Sequence, residues 1–250
     1  MYINDINIMF YVLVGIIGLF VGQFIDWCNN RLPEYKKVFS KEFFTIYLKN
    51  MKPKYFLVVC TAILYIALLY FVGWQENILY KIELIKYMLL IPMLISAFMI
   101  DYKLQIIPNR LNLTIFEIGL ITTFIEGIYS PDLAISNLIG GLVGAGIFLA
   151  ITLIGGMIAG KEAMGFGDVK FMGALGLFFG WMNIIGISVI AFLLAAIISI
   201  ILIVTKIRKT DEYIPFGPFI VIASIIVMLV PQDILLFVLF KIFTLGMYQG

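Results

Sequence analysis

Apolar positions in this chain come in long unbroken runs, not in stripes. The runs lie near Ile8–Ile25, Tyr55–Val72, Leu84–Ile100, Leu111–Ile128, Ser136–Ala159 and Asn183–Val204. A shorter one, Val169–Gly180, must also cross or re-enter if the alternation of sides is to hold. The tail adds Phe216–Val230 and then Ile234–Leu245, the last short enough to lie at the interface. A membrane-crossing helix needs about 20 such residues. Lipid admits only helices or closed barrels, because every backbone N–H and C=O must be paired internally, and nothing here alternates as barrel strands do. The pattern predicts an all-α polytopic integral membrane protein with about eight transmembrane helices, set in a lipid bilayer.

Composition agrees. The 250 residues hold 17 Lys plus Arg and 15 Asp plus Glu, so charge is 13% and hydrophobic residues 63%. Soluble domains carry about 25% charge, and this chain has too little polar surface to cover a water-soluble globule. The loops hold no nucleotide-binding fold, and nothing points to nucleic acid. Histidine is absent, which excludes Ser-His-Asp and Cys-His catalysis and His-ligated metals. Cys28 and Cys60 cannot supply a four-cysteine zinc site, so no metal is expected. An enzyme built from this inventory must work with carboxylates, lysines or tyrosines.

The placement of charge orients the chain. Asp5 and the lack of Lys or Arg before the first run argue against a signal peptide. Fourteen of the 17 basic residues follow odd-numbered spans, from Arg31 to Lys54 and again around Lys103, Lys170 and Lys206; Lys81, Lys86 and Lys241 fall on or near the other side. The positive-inside rule puts the N-terminus outside and the basic loops in the cytoplasm. Trp27, Trp74 and Trp181 fall at span ends, as an interfacial aromatic belt would place them. The largest polar segment, Asp26–Lys54, mixes Lys with Phe and Tyr and suggests a membrane-hugging loop. Residues 1–54 therefore form a first helix plus a short basic loop, and 55–250 the membrane-embedded remainder. Gly140 and Gly144 fit the small-xxx-small spacing that lets membrane helices approach closely.

Two acids end up on one side. Asp101 closes the third span and Asp168 follows the fifth, in Gly165-Phe-Gly-Asp168. Two carboxylates brought together near lipid cannot both ionise cheaply and would share a proton. In aspartic proteases the ionised member of such a pair activates water while the protonated one polarises a carbonyl. Either acid alone could equally be a helix cap. The glycines beside Asp168 would allow backbone angles closed to other residues and hence a mobile or closely approaching loop. Glu117, inside the fourth span, and Glu126, near its outer end, are intramembrane acids too. A proton-coupled transporter or channel using Asp101, Asp168 and Glu117 is the alternative from another class, although no interrupted helices recur in matching halves. A non-catalytic assembly factor is a third reading, and it would tolerate substitution of both aspartates.

Taken together, four segments resemble one family. Gly160 to Gly176, with Met164-Gly-Phe-Gly-Asp-Val-Lys170 at its centre, resembles the signature of prepilin peptidases (type IV leader peptidases), the GxGD membrane aspartic proteases. Asp101 through Pro108-Asn109 looks like their other aspartate motif, Ile214-Pro-Phe-Gly-Pro-Phe219 like their last cytoplasmic motif, and Gln23 to Arg31-Leu-Pro33 like their N-terminal motif. The four occur in the family's order. The resemblance implies cleavage, after Gly, of the short basic leader of type IV prepilins and pilin-like (pseudopilin or competence) precursors, at the cytoplasmic face of the bacterial plasma membrane. It makes Asp101 and Asp168 the catalytic pair, Gly165, Gly167 and Lys170 the active-site loop, and Asp26, Pro108, Asn109, Glu162, Pro215 and Gly217 supporting or substrate-binding residues. Asp26, Glu34 and Glu162 are the acids that would attract a basic leader. The peptidase step implies no cofactor; S-adenosylmethionine enters only if the N-methylation of many relatives is retained. The chain departs from the family in lacking two Cys-x-x-Cys pairs in its first loop and in carrying Asp26 where Asn is usual, which puts that methylation in doubt.

Overall fold

The computed structural model describes residues 2–4, 6–47, 49, 54–159, 164–206 and 214–243. Eight α-helices account for nearly all of them: α1 Ile8–Arg31, α2 Tyr55–Val72, α3 Ile78–Leu104, α4 Asn109–Tyr129, α5 Pro131–Ala159, α6 Phe166–Val204, α7 Gly217–Leu229 and α8 Gln232–Phe243. Before α1, β1 (Tyr2–Ile3) and β2 (Ile6–Asn7) pair antiparallel, a small exception to the all-helical expectation. A π-helical turn, Phe43–Tyr47, interrupts the loop after α1.

Helices α1 to α6 are each long and apolar enough to cross a membrane. The chain is an all-α polytopic membrane protein. At 13 and 12 residues α7 and α8 are shorter, and α8 extends about 18 Å at 1.5 Å per residue, too little for a bilayer core of about 30 Å. The expected runs Val169–Gly180 and Asn183–Val204 lie within α6, which is broken at Gly180 (φ 73°, ψ 172°).

That break reverses the chain. A Cβ on Gly140 of α5 would lie 2.5 Å from the Gly176 carbonyl and 2.6 Å from the Gly180 carbonyl carbon; one on Gly144 would lie 2.5 Å from Met172 O and 3.0 Å from Ile184. Phe148 stacks near Phe192. Moving along α5, the contacts therefore retreat down the first leg of α6 and advance up the second. Small residues at Gly140 and Gly144 allow this close approach, which in lipid comes from packing and not from hydrophobic drive. Only a residue without Cβ takes the Gly180 angles readily, and a Cβ there would also meet Ser136 Oγ at 2.7 Å.

The first leg of α6 is the interior of the molecule: Asp168, Val169, Phe171, Met172 and Ala174 through Gly180 are all buried. Helix α3 is packed by α1, α2, α4 and α7, with Leu90, Ile91, Leu94 and Ala97 buried, and meets this leg where Tyr87 stacks on Phe179. One end of the bundle gathers the ends of α1 and α3 and the starts of α2, α4, α6 and α7. The other gathers Gly180, the end of α4 and the start of α5. Lys86, expected among the charges on the second side, is no surface charge: it is 5% exposed and its Nζ lies 2.7 Å from Glu126 Oε1, while Asn137 donates to Glu126 Oε2 at 2.7 Å. Trp74 and Trp181 are exposed, as a belt requires, but Trp27 is buried. Its indole donates to Val38 O at 2.9 Å and packs against Phe43 and Tyr47, so this tryptophan anchors the loop instead of facing lipid headgroups.

Candidate active site

Asp101 lies in the last turn of α3, which stops because Gln105 turns left-handed (φ 57°) and returns its N–H to Asp101 O at 2.8 Å. Its carboxylate meets α7 at the far side: Gly217 N–H donates to Asp101 Oδ2 at 2.9 Å, from 116 residues away. Helix N-termini present unpaired N–H groups and positive potential, so α7 begins where an anion is welcome. The contact requires glycine, since a Cβ on Gly217 would lie 2.6 Å from that same oxygen. Pro218 follows in the first turn of α7, where a missing N–H costs nothing, and Pro215 is buried just before it.

Asp168 lies in the first turn of α6, again at a helix N-terminus, with its N–H donating to Gly165 O at 3.0 Å. The two aspartates are 3% and 4% exposed and close enough for the charge of Asp101 to act on Asp168. Among the described residues no lysine or arginine forms an ion pair with either, and no cluster of Cys, Asp and Glu is arranged to hold a metal. The backbone freedom expected at the neighbouring glycines is not used: Gly165 is extended (φ −68°, ψ 139°) and Gly167 is helical, with ordinary room for a Cβ 3.5 Å from Ile107.

Pro108 caps α4, and the start of that helix is tied to the start of α6. Lys170 Nζ donates to Asn109 Oδ1 at 2.9 Å, and Asn112 Nδ2 to Gly167 O at 3.1 Å. Asp26 sits apart from the pair. It lines a cleft of about 720 Å³ with Asn29, Glu34, Ile100 and Lys103, on the Asp101 side. Tyr47 Oη lies 3.2 Å from Asp26 Oδ2, and burial pushes that hydroxyl up to about 12, so it stays a proton donor. Glu162 lies outside the described residues. Glu117 is exposed on α4, away from the pair, and Glu126 is the buried acid of that helix.

Residues 88–200 match the profile of the Type IV leader peptidase family, and both aspartates fall inside the match. This segment is therefore similar to the type IV leader peptidase family. The chain is 33% identical to a prepilin leader peptidase/N-methyltransferase of Legionella pneumophila over 60% of its own length and 51% of that relative. It is 32% identical to one of Aeromonas hydrophila over 57% and 48%, and 30% identical to one of Pseudomonas aeruginosa over 54% and 46%. The chain thus spans about half the length of these relatives. No solved structure matches it significantly.

Asn109, Lys170 and Gly217 were singled out in the sequence; Asn109 and Lys170 hydrogen-bond each other and Gly217 donates to Asp101. Asn112 was unannounced. The hydrogen bond to Gly167 crosses between two helices, and Asn112 is one of several polar residues on α4, so nothing in the sequence set it apart.

Proposed function

We propose that the chain is a membrane aspartic endopeptidase that removes the basic leader from type IV prepilin-like precursors, with Asp101 and Asp168 as its catalytic pair. The observation that carries this reading is a pair of buried carboxylates, without a cation among the described residues, inside the leader peptidase match. Repulsion and low dielectric make the two share one proton. The ionised member takes a proton from water as it attacks the scissile carbonyl; the protonated member donates to the carbonyl oxygen, and the proton taken from water leaves with the amine.

Supporting roles follow from position. Residues 1–54 act on the leader side and 55–250 form the peptidase core. The cleft beside Asp101 sets Asp26 and Glu34 next to Lys54 and Lys103 in its lining, and Glu34 already pairs with Lys36. A basic leader entering it would meet Asp26 as the acid without an ion pair among the described residues. Arg31, Lys54, Lys103, Arg110, Lys170 and Lys206 flank the helices at the aspartate end, which supports reading that end as cytoplasmic and the host membrane as the bacterial plasma membrane. The relatives' names also carry N-methyltransferase. The proposal stops at cleavage, and no residue is assigned to a methyl donor.

A transport reading fares worse. Between Lys86 and Asp101 the buried face of α3 is Tyr87, Leu90, Ile91, Leu94, Ile95, Ser96, Ala97 and Ile100, so beyond Tyr87, next to Lys86, only Ser96 offers this face a polar side chain. The test is reconstitution of the chain in liposomes with a pilin-like precursor whose leader ends in Gly. Leader release with a new N-terminus directly after that Gly is expected, slowed when the leader's Lys and Arg are neutralised. Proton flux without cleavage would overturn the reading, and unchanged rates with neutral leaders would remove Asp26 from it.

A further inference from the structure

A second cleft flanks the aspartate pair on the Asp168 side, and it is of the opposite kind. This groove of about 760 Å³ runs between α4, α5 and the first leg of α6. Leu113 and Phe116 form one wall, Leu142 the other, and Gly173 and Ala174 the floor.

Exposed apolar side chains alone mark only lipid contact, since every spanning helix here has them. Three features separate this groove from such a surface. The first is shape: a Cβ on Gly141 would lie 3.2 Å from Gly173 O, so the floor is backbone against backbone and its depth comes from missing side chains. The second is continuity with the chemistry, because Val169 and Lys170, which directly follow Asp168, belong to its lining. The third is an unsatisfied acceptor. Asn112 lines the groove, is 4% exposed, and spends its Nδ2 on Gly167 O, while its Oδ1 is buried without a hydrogen-bond partner.

An orphaned buried acceptor calls for a donor. An apolar helix entering with its N-terminus at the aspartates brings up to four backbone N–H groups that lack intrahelical partners. An acyl chain would suit the walls and bring none.

We propose that this groove seats the first turns of the substrate's apolar helix, with Asn112 Oδ1 accepting a backbone N–H just beyond the scissile bond. The inference rests on the leader-peptidase reading and adds where the substrate lies. Asn112 is a positioning residue, and the two clefts divide the substrate: basic leader against Asp26, apolar helix between α4 and α5.

The test uses the full chain in liposomes and the same precursor. A photo-crosslinker at Leu113 or Leu142, in an Asp168→Asn background that traps substrate, should capture the precursor's apolar helix. The same group at Ile63, exposed on α2, should capture lipid only. In a separate series, single backbone N–H groups at the start of the apolar helix are replaced by ester oxygens. One position should lower kcat/KM by about fivefold in wild-type protein and not at all in Asn112→Leu, as one lost hydrogen bond predicts. A purely structural Asn112 would leave the ester effect the same in both. If the precursor is cleaved but Leu113 and Leu142 capture only lipid, the groove proposal falls while the peptidase reading stands. Crosslinks without ester coupling would remove Asn112, and a precursor that is never cleaved would overturn both.

Discussion

The two ends of the bundle each bury acids, and they handle them in opposite ways. At one end Glu126 is 4% exposed, but Lys86 neutralises it and Asn137 fills its second oxygen. Every partner is supplied, so this acid joins α3, α4 and α5 and has no reactivity to spare. At the other end Asp101 and Asp168 are just as buried, yet among the described residues their carboxylates have only the Gly217 N–H on Asp101 as a hydrogen-bond partner and no cation. Burial alone therefore does not mark a working acid in a membrane. What marks it is burial with another acid and without a cation.

The largest effect should come from the unneutralised pair. Asp101→Asn or Asp168→Asn should lower leader cleavage by about ten-thousandfold, in line with loss of a catalytic group, while leaving thermal unfolding in lipid nanodiscs unchanged or raised. Cleavage within tenfold of wild type would exclude the residue from the chemistry. The neutralised pair should behave in reverse. Lys86→Met strands Glu126 and should cost about 3–5 kcal/mol of stability, and the double variant Lys86→Met with Glu126→Leu should regain most of it, with cleavage per folded molecule unaffected. Equal stability of the single variant would show that this ion pair holds nothing together. Smallest is the bridge between α7 and Asp101. Gly217→Ala displaces a charge-assisted hydrogen bond of about 1.5–3 kcal/mol, so kcat should fall by roughly tenfold or more; an unchanged kcat would sever α7 from the site.

Much of this arrangement was legible in the residue order. The run Tyr55–Val72 coincides with α2, and Gly217 and Asp101, from two of the motifs read in the sequence, are hydrogen-bonded. What was hidden has a common physical cause. Lipid is as apolar as the protein core, so a spanning helix carries no polar face to show which side is buried. Lys86 and Glu126 read as separate charges near one surface because their pairing joins two helices. The unsatisfied oxygen of Asn112 depends on Gly167 occupying its amide, a contact between α4 and α6. The glycines before Asp168 misled in the other direction, since their φ angles are ordinary, whereas Gly180 with its positive φ looked like the end of a run.

That reversal at Gly180 sets a depth. The leg of α6 from Asp168 to Gly180 is only about 18 Å long, while a relaxed hydrocarbon layer is about 30 Å thick. The leg itself is buried, so the mismatch would be felt by lipid that enters the groove beside it. Hydrophobic mismatch of this kind thins the bilayer locally, and a thinned bilayer brings water and headgroups toward a bond that would otherwise lie out of their reach. The molecule would then work as much on the membrane as on the peptide, and cleavage should be faster in liposomes of short-chain lipid than of long-chain lipid.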